Sequence, residues 1–173
     1  MRLPLWIIAA TLISAGAFAV SSSAAGLGTD PGKQAPPVEL PDLAGRTVSL
    51  SQFKGKVVLL NFWSTLCAPC TAELPSLDRL STALRGEGLV VLAVAIDASD
   101  KPVREFAAKN KFALTVLLDR EKEVFFDQYA GPGLPATYFI DRNGIIVEKF
   151  SGPREWDSPD MKKKIRKLLE VNR

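Results

Sequence analysis

Short, continuous apolar runs alternate along the chain with stretches that have helical periodicity. Runs of this kind have no polar face, so they predict strands buried in the middle of a sheet. They are residues 57–63, 89–97 and 114–118. Shorter strands are predicted in two pairs, at 38–40 with 47–50 and at 136–140 with 145–150. The second pair is joined across Asn143-Gly144, a strong hairpin signal.

Helices are predicted between these strands. Leu74, Leu77, Leu80 and Leu84 recur at helical spacing directly after the first apolar run. Further helices are expected from Asp100, over about 121–129, and from Ser158 to the C-terminus. The sequence has no internal repeat. Strands alternating with helices before a terminal hairpin indicate an α/β fold with a sheet of mixed direction.

The N-terminus has the features of an export segment. Arg2 supplies positive charge, residues 3–20 are apolar, and Ala17-Phe18-Ala19 fits a cleavage site. Because the run is also long enough to span a bilayer, residues 1–25 are predicted to be a signal peptide or an N-terminal membrane anchor. Residues 26–36 are predicted to be a flexible tether and residues 37–173 the folded domain. Either alternative places that domain outside the cytoplasm, in the periplasm or another extracytoplasmic space, as a soluble protein or anchored to the inner membrane.

Composition excludes several function classes. The 22 Lys and Arg residues nearly balance the 19 Asp and Glu residues, so no nucleic-acid partner is expected. Histidine is absent, which removes the usual neutral-pH base, the hydrolase triads and nearly all catalytic zinc sites. No cofactor and no metal are expected. The remaining candidate chemistry is that of a thiolate.

The two cysteines form a Cys-x-x-Cys pair, Cys67-Ala68-Pro69-Cys70, where a buried strand gives way to a helix. A cysteine at a helix N-terminus lies beside unpaired amide groups that favour its thiolate. Cys67 is therefore the predicted nucleophile, with Cys70 one turn further on as the resolving thiol. A structural disulfide, half of a zinc site and a Cu(I) site remain alternatives for such a pair.

The segment Asn61-Phe62-Trp63-Ser64-Thr65-Leu66-Cys67-Ala68-Pro69-Cys70 resembles the active site of the TlpA/ResA branch of the thioredoxin superfamily. The resemblance covers about residues 35–169 and includes Gly133-Leu134-Pro135-Ala136-Thr137. It implies a thioredoxin fold: a central mixed β-sheet flanked by helices, with an N-terminal β-hairpin and a central insertion.

The resemblance also implies roles for two further residues. The Leu134–Pro135 bond would be cis and would face the cysteines, making Pro135 a substrate clamp. Glu73 would be an active-site acid, although a solvated glutamate on the first helical turns is the alternative. Asn61 stands where thioredoxin has a buried aspartate. Leu66 departs from the tryptophan usual before the first cysteine, so the resemblance does not define the surface that docks partner proteins.

The leading hypothesis is an exported, monomeric thiol–disulfide oxidoreductase that reduces disulfides in selected periplasmic proteins. By the resemblance, apocytochrome c is a candidate substrate, as in cytochrome c maturation, and a membrane thiol carrier is the expected electron donor. A thiol oxidase and a Cu(I)-binding thioredoxin-like module are the alternatives, because no motif sets the reduction potential. A peroxidase is disfavoured because Ser64 replaces the threonine of peroxiredoxins.

Overall fold

The computed structural model describes residues 28–171 and centres on a five-stranded sheet. Its strands are Val57–Trp63 (β3), Leu89–Ala95 (β4), Thr115–Leu118 (β5), Ala136–Ile140 (β6) and Ile146–Ser151 (β7). They lie in the order β5-β4-β3-β6-β7. β3, β4 and β5 run parallel, whereas β6 and β7 are antiparallel to their neighbours. The predicted mixed α/β sheet is confirmed, with the first apolar run as its central strand.

The three α-helices are Ala68–Leu84 (α1), Asp100–Asn110 (α2) and Pro159–Val171 (α3). All three contribute side chains to one hydrophobic cluster on a single face of the sheet. From α1 these are the leucines of the predicted stripe, Leu74, Leu77, Leu80 and Leu84, which are fully buried. The helical periodicity therefore identified the face of α1 that packs on the sheet.

The opposite face of the sheet is covered by the N-terminal hairpin and one helical turn. The hairpin pairs Glu39–Pro41 (β1) with Thr47–Ser49 (β2) in antiparallel register. The helix expected over about 121–129 is a single π-helical turn at Val124–Gln128. The buried Asp119 carboxylate caps this turn. It accepts hydrogen bonds from the backbone N–H groups of Val124 and Phe125.

Residues before Pro37 join the folded domain earlier than expected. The backbone N–H of Gly32 donates to the carbonyl of Ile146 at 2.8 Å, and that of Ala35 donates to the carbonyl of Gly144 at 2.9 Å. Gln34 also forms an isolated antiparallel β-bridge with Ile145. The predicted tether over 26–36 is thus corrected for residues 32–35, because these backbone groups pair with the β6–β7 hairpin.

The predicted signal peptide or anchor at residues 1–25 lies outside the described residues. Within residues 28–171, no helix is long and apolar enough to cross a membrane.

Candidate active site

The topology brings the cysteine pair and Pro135 to one edge of the sheet. β3 ends at Trp63, four residues before Cys67, and β6 begins at Ala136, directly after Pro135. Because β3 and β6 are antiparallel, with Phe62 opposite Ala136, the end of one strand meets the start of the other. The Leu134–Pro135 bond is cis, as the resemblance implied.

Cys67 caps the first helix. It has extended backbone angles, and its sulfur accepts a hydrogen bond from the backbone N–H of Cys70 at 3.3 Å. Cys67 is half-buried, Ala68 and Pro69 are exposed, and Cys70 is fully buried. The two sulfurs are joined in a disulfide. The predicted arrangement, with Cys67 at the helix N-terminus and Cys70 one turn inside, is confirmed.

The loop from Ser64 to Leu66 is anchored to Asp97 and is also held by a hydrogen bond of its own. The Asp97 carboxylate, just beyond β4, accepts hydrogen bonds from the backbone N–H of Thr65 at 3.1 Å and from the Thr65 hydroxyl. The Ser64 hydroxyl accepts from the backbone N–H of Leu66 at 3.2 Å. These contacts fix the approach to Cys67, and the sequence reasoning did not identify the role of Asp97.

A groove of about 530 Å³ lies beside the anchored loop. Its walls include Cys67, Leu66, Ile96, Leu134 and Lys122. Leu66 is 93% exposed, so it is an apolar side chain presented to solvent next to the cysteine. Trp63, by contrast, is fully buried and packs against Phe106.

Glu73 is buried, with only 4% of its surface exposed. Its Oε1 accepts a hydrogen bond from Asn61 Nδ2 at 2.9 Å. Its Oε2 accepts from Trp156 Nε1 at 2.9 Å and from the backbone N–H of Arg154 at 3.0 Å. The alternative of a solvated glutamate is therefore wrong.

Two opposing effects set the proton affinity of Glu73. Desolvation is the larger, and it raises the pKa of the Glu73 carboxyl above its ordinary value of 4.5. The hydrogen bonds from Trp156, Arg154 and Asn61 oppose it, since they favour the ionised form. Glu73 lies three residues after Cys70 on the same helix, so its carboxyl group is about one helical turn from that cysteine.

Sequence reasoning missed Trp156 as a site residue. It is fully buried, makes a tilted contact with Phe139 and an edge-to-face contact with Phe150, and its backbone N–H donates to the Ser76 hydroxyl at 3.0 Å. A tryptophan next to Asp157 and Ser158 gave no periodic signal, because it lies in the loop between β7 and α3. Only the tertiary structure brings it to Glu73.

A helix-capping Cys-x-x-Cys disulfide after the central strand, facing a cis-proline loop, defines the thioredoxin class of thiol–disulfide oxidoreductases. Comparison with known proteins agrees. The AhpC/TSA family matches residues 31–149. Thiol-disulfide oxidoreductase ResA of Bacillus cereus is 34% identical over 121 residues, which are 70% of this chain and 69% of ResA. Thioredoxin-like protein YneN of Bacillus subtilis is 38% identical over 125 residues, covering 70% of this chain and 72% of YneN.

Solved structures show the same architecture. The thioredoxin domain of a thiol-disulfide oxidoreductase from Bacteroides vulgatus superposes with a TM-score of 0.72 at 27% identity, covering 82% of this chain and 99% of that domain. The chain belongs to the AhpC/TSA family and is a thiol–disulfide oxidoreductase of the thioredoxin superfamily.

Proposed function

We propose that this protein is an extracytoplasmic reductase of disulfides in selected exported proteins. The observation that carries the exchange chemistry in this proposal is the asymmetry of the cysteine pair, and the reducing direction is left to the test of the resting redox state. Cys67 lies half-exposed at a helix N-terminus beside an open groove, whereas Cys70 is fully buried behind it. Only Cys67 is placed to meet a disulfide on another protein, and its sulfur receives a backbone N–H that favours a thiolate.

The reaction begins from the dithiol form. The Cys67 thiolate attacks one sulfur of the substrate disulfide and forms a mixed disulfide, and the other substrate sulfur leaves as a thiolate. Cys70 then loses its proton and attacks the Cys67 sulfur, which releases the second substrate thiolate. Two electrons pass to the substrate, and the protein is left with the Cys67–Cys70 disulfide seen in the structure. A thiol donor must then reduce that disulfide.

Glu73 is proposed to accept the proton that Cys70 releases. Its position one turn after Cys70 and its raised pKa support this role, since a carboxylate with a pKa closer to neutrality is a more effective base. Pro135 and the preceding Leu134 are proposed to hold the substrate. The position of Leu134 in the groove wall with Cys67 supports that assignment.

The proposed partners follow from the chemistry and from the relatives. A membrane thiol carrier is the proposed electron donor, because no soluble nicotinamide pool is expected outside the inner membrane. The similarity to ResA supports cytochrome c maturation and apocytochrome c as a substrate. Residues 1–25 are proposed to export or anchor a monomeric domain.

The resting redox state of the protein in its own cells tests the direction. Cells are quenched with acid and labelled with a thiol-reactive mass tag. A reductase shows mostly free Cys67 and Cys70 when the membrane carrier is present, and mostly disulfide when the carrier is deleted. A protein that stays disulfide-bonded with the carrier present would be an oxidase instead.

A further inference from the structure

The hydrogen bonds around Glu73 suit its ionised form. Three N–H groups, from Asn61, Trp156 and Arg154, converge on the two carboxylate oxygens. An ionised carboxylate accepts all three, but a protonated one also needs an acceptor for its own hydrogen. Burial favours the protonated form, so a working proton acceptor at this position requires a second hydrogen-bond arrangement.

Asn61 contains that acceptor. Its Nδ2 donates to Glu73 Oε1 and to Thr137 Oγ1, both at 2.9 Å. Its Oδ1 is buried and has no hydrogen-bond partner within residues 28–170. Rotating the amide by 180° exchanges the oxygen and nitrogen positions with little change of shape. Oδ1 then faces Glu73 Oε1 and the Thr137 hydroxyl, each of which can donate a hydrogen bond.

We propose that Asn61 is a positioning residue whose side-chain amide turns over with the protonation state of Glu73. With Glu73 ionised, Nδ2 donates to Oε1. With the proton on Oε1, that proton is donated to Oδ1, and the N–H groups of Trp156 and Arg154 stay on Oε2. The inference rests on the proposed function, in which the proton that Glu73 gains is the one that leaves Cys70.

The groups around the Glu73 carboxyl group come from α1, the β7–α3 loop, β3 and β6. Cys70 lies on the same helix, and Arg154, from the β7–α3 loop, favours the ionised form through its charge. β3 and β6 contribute the neutral side chains of Asn61 and Thr137. In the disulfide form the cysteines do not titrate, so Glu73 can be followed without them.

The test is a pH titration of the full-length disulfide form by NMR, with side-chain amides labelled in asparagine and carboxyl carbons labelled in glutamate. The Asn61 amide protons are expected to move upfield on acidification, because they lose both acceptors, with the same midpoint as the Glu73 carboxyl carbon. Their nuclear Overhauser contact to Thr137 should weaken over the same pH range. Asn110, whose exposed amide donates to the Phe106 carbonyl at 2.8 Å, is the internal control and should not titrate.

Glu73→Gln removes the titrating group and should make the Asn61 signals independent of pH. If that variant does not fold, the pH dependence of the nuclear Overhauser contact between Asn61 and Thr137 in the unmodified protein is the deciding measurement. A Glu73 carbon that titrates while the Asn61 amide stays fixed would overturn the inference, as would a Glu73 that never takes up a proton. A coupled titration combined with unchanged thiol reactivity in folded Glu73→Gln would support the amide turnover but refute the role of Glu73 in the proposed reaction.

Discussion

Replacing Trp156 with phenylalanine isolates one of the interactions that favour the ionised form of Glu73. Phenylalanine keeps an aromatic ring packed against Phe139 and Phe150 but removes the N–H that donates to Glu73 Oε2 at 2.9 Å. The backbone N–H of Arg154 remains on that oxygen. The change therefore destabilises the ionised carboxylate more than the neutral acid.

The magnitude follows from the strength of the lost bond. A hydrogen bond to a charged group contributes about 1.5–3 kcal/mol, and one pKa unit corresponds to about 1.4 kcal/mol. A neutral carboxyl oxygen still accepts a weaker bond worth roughly 1 kcal/mol, which offsets part of the loss. The pKa of Glu73 should therefore rise by about one unit.

The assay is a carbon-13 titration of the Glu73 carboxyl group in the disulfide form. Ser76→Ala is the matched control, because the Ser76 hydroxyl accepts from the backbone N–H of Trp156 but does not touch the carboxylate. It should leave the midpoint unchanged. A midpoint in Trp156→Phe that is unchanged or lower would refute the assignment of Trp156 as a donor to ionised Glu73.

Three further outcomes are expected. After reduction, iodoacetamide should modify Cys67 in preference to the buried Cys70, as mapped by mass spectrometry, and preferential modification of Cys70 would reverse their roles. Because native Glu73 holds its proton to higher pH than the unfolded chain, the free energy of unfolding should fall as pH rises from about 4.5 through the raised pKa. In chemical denaturation of Glu73→Gln, the free energy of unfolding should lack this dependence on pH. The same pH slope in the variant and in the unmodified protein would contradict the assignment to Glu73. Gly131→Ala should cost roughly 1–3 kcal/mol of stability, since a Cβ there would lie 2.1 Å from buried Phe125, and an unchanged thermal midpoint would contradict this.

Much of the sheet could be predicted because its information is local. The run at 57–63 has no polar face, and it is the central strand with a strand on each side. The leucine stripe after Cys70 predicted which face of α1 is buried. The change from strand to helix at Cys67 likewise predicted the helix-capping sulfur, because capping depends on a few neighbouring residues.

The environment of Glu73 could not be predicted in the same way. Helical periodicity placed it near the cysteines, but its donors Arg154 and Trp156 are 81 and 83 positions away in sequence. Which loop meets a helix depends on tertiary packing rather than on local pattern. The residues at 32–35 show a similar effect, since this stretch between Pro31 and Pro36 gave no periodic signal yet pairs with a distant hairpin.

The most direct test of the central claim is to trap the mixed disulfide. The full-length Cys70→Ala variant is reduced, mixed with a disulfide-containing peptide, quenched with acid and mapped by mass spectrometry. The account predicts a stable peptide adduct on Cys67 that the unmodified protein resolves and that Cys67→Ala, which retains Cys70, forms far more slowly. An adduct that forms as fast on Cys70 in Cys67→Ala as on Cys67 in Cys70→Ala would contradict the account.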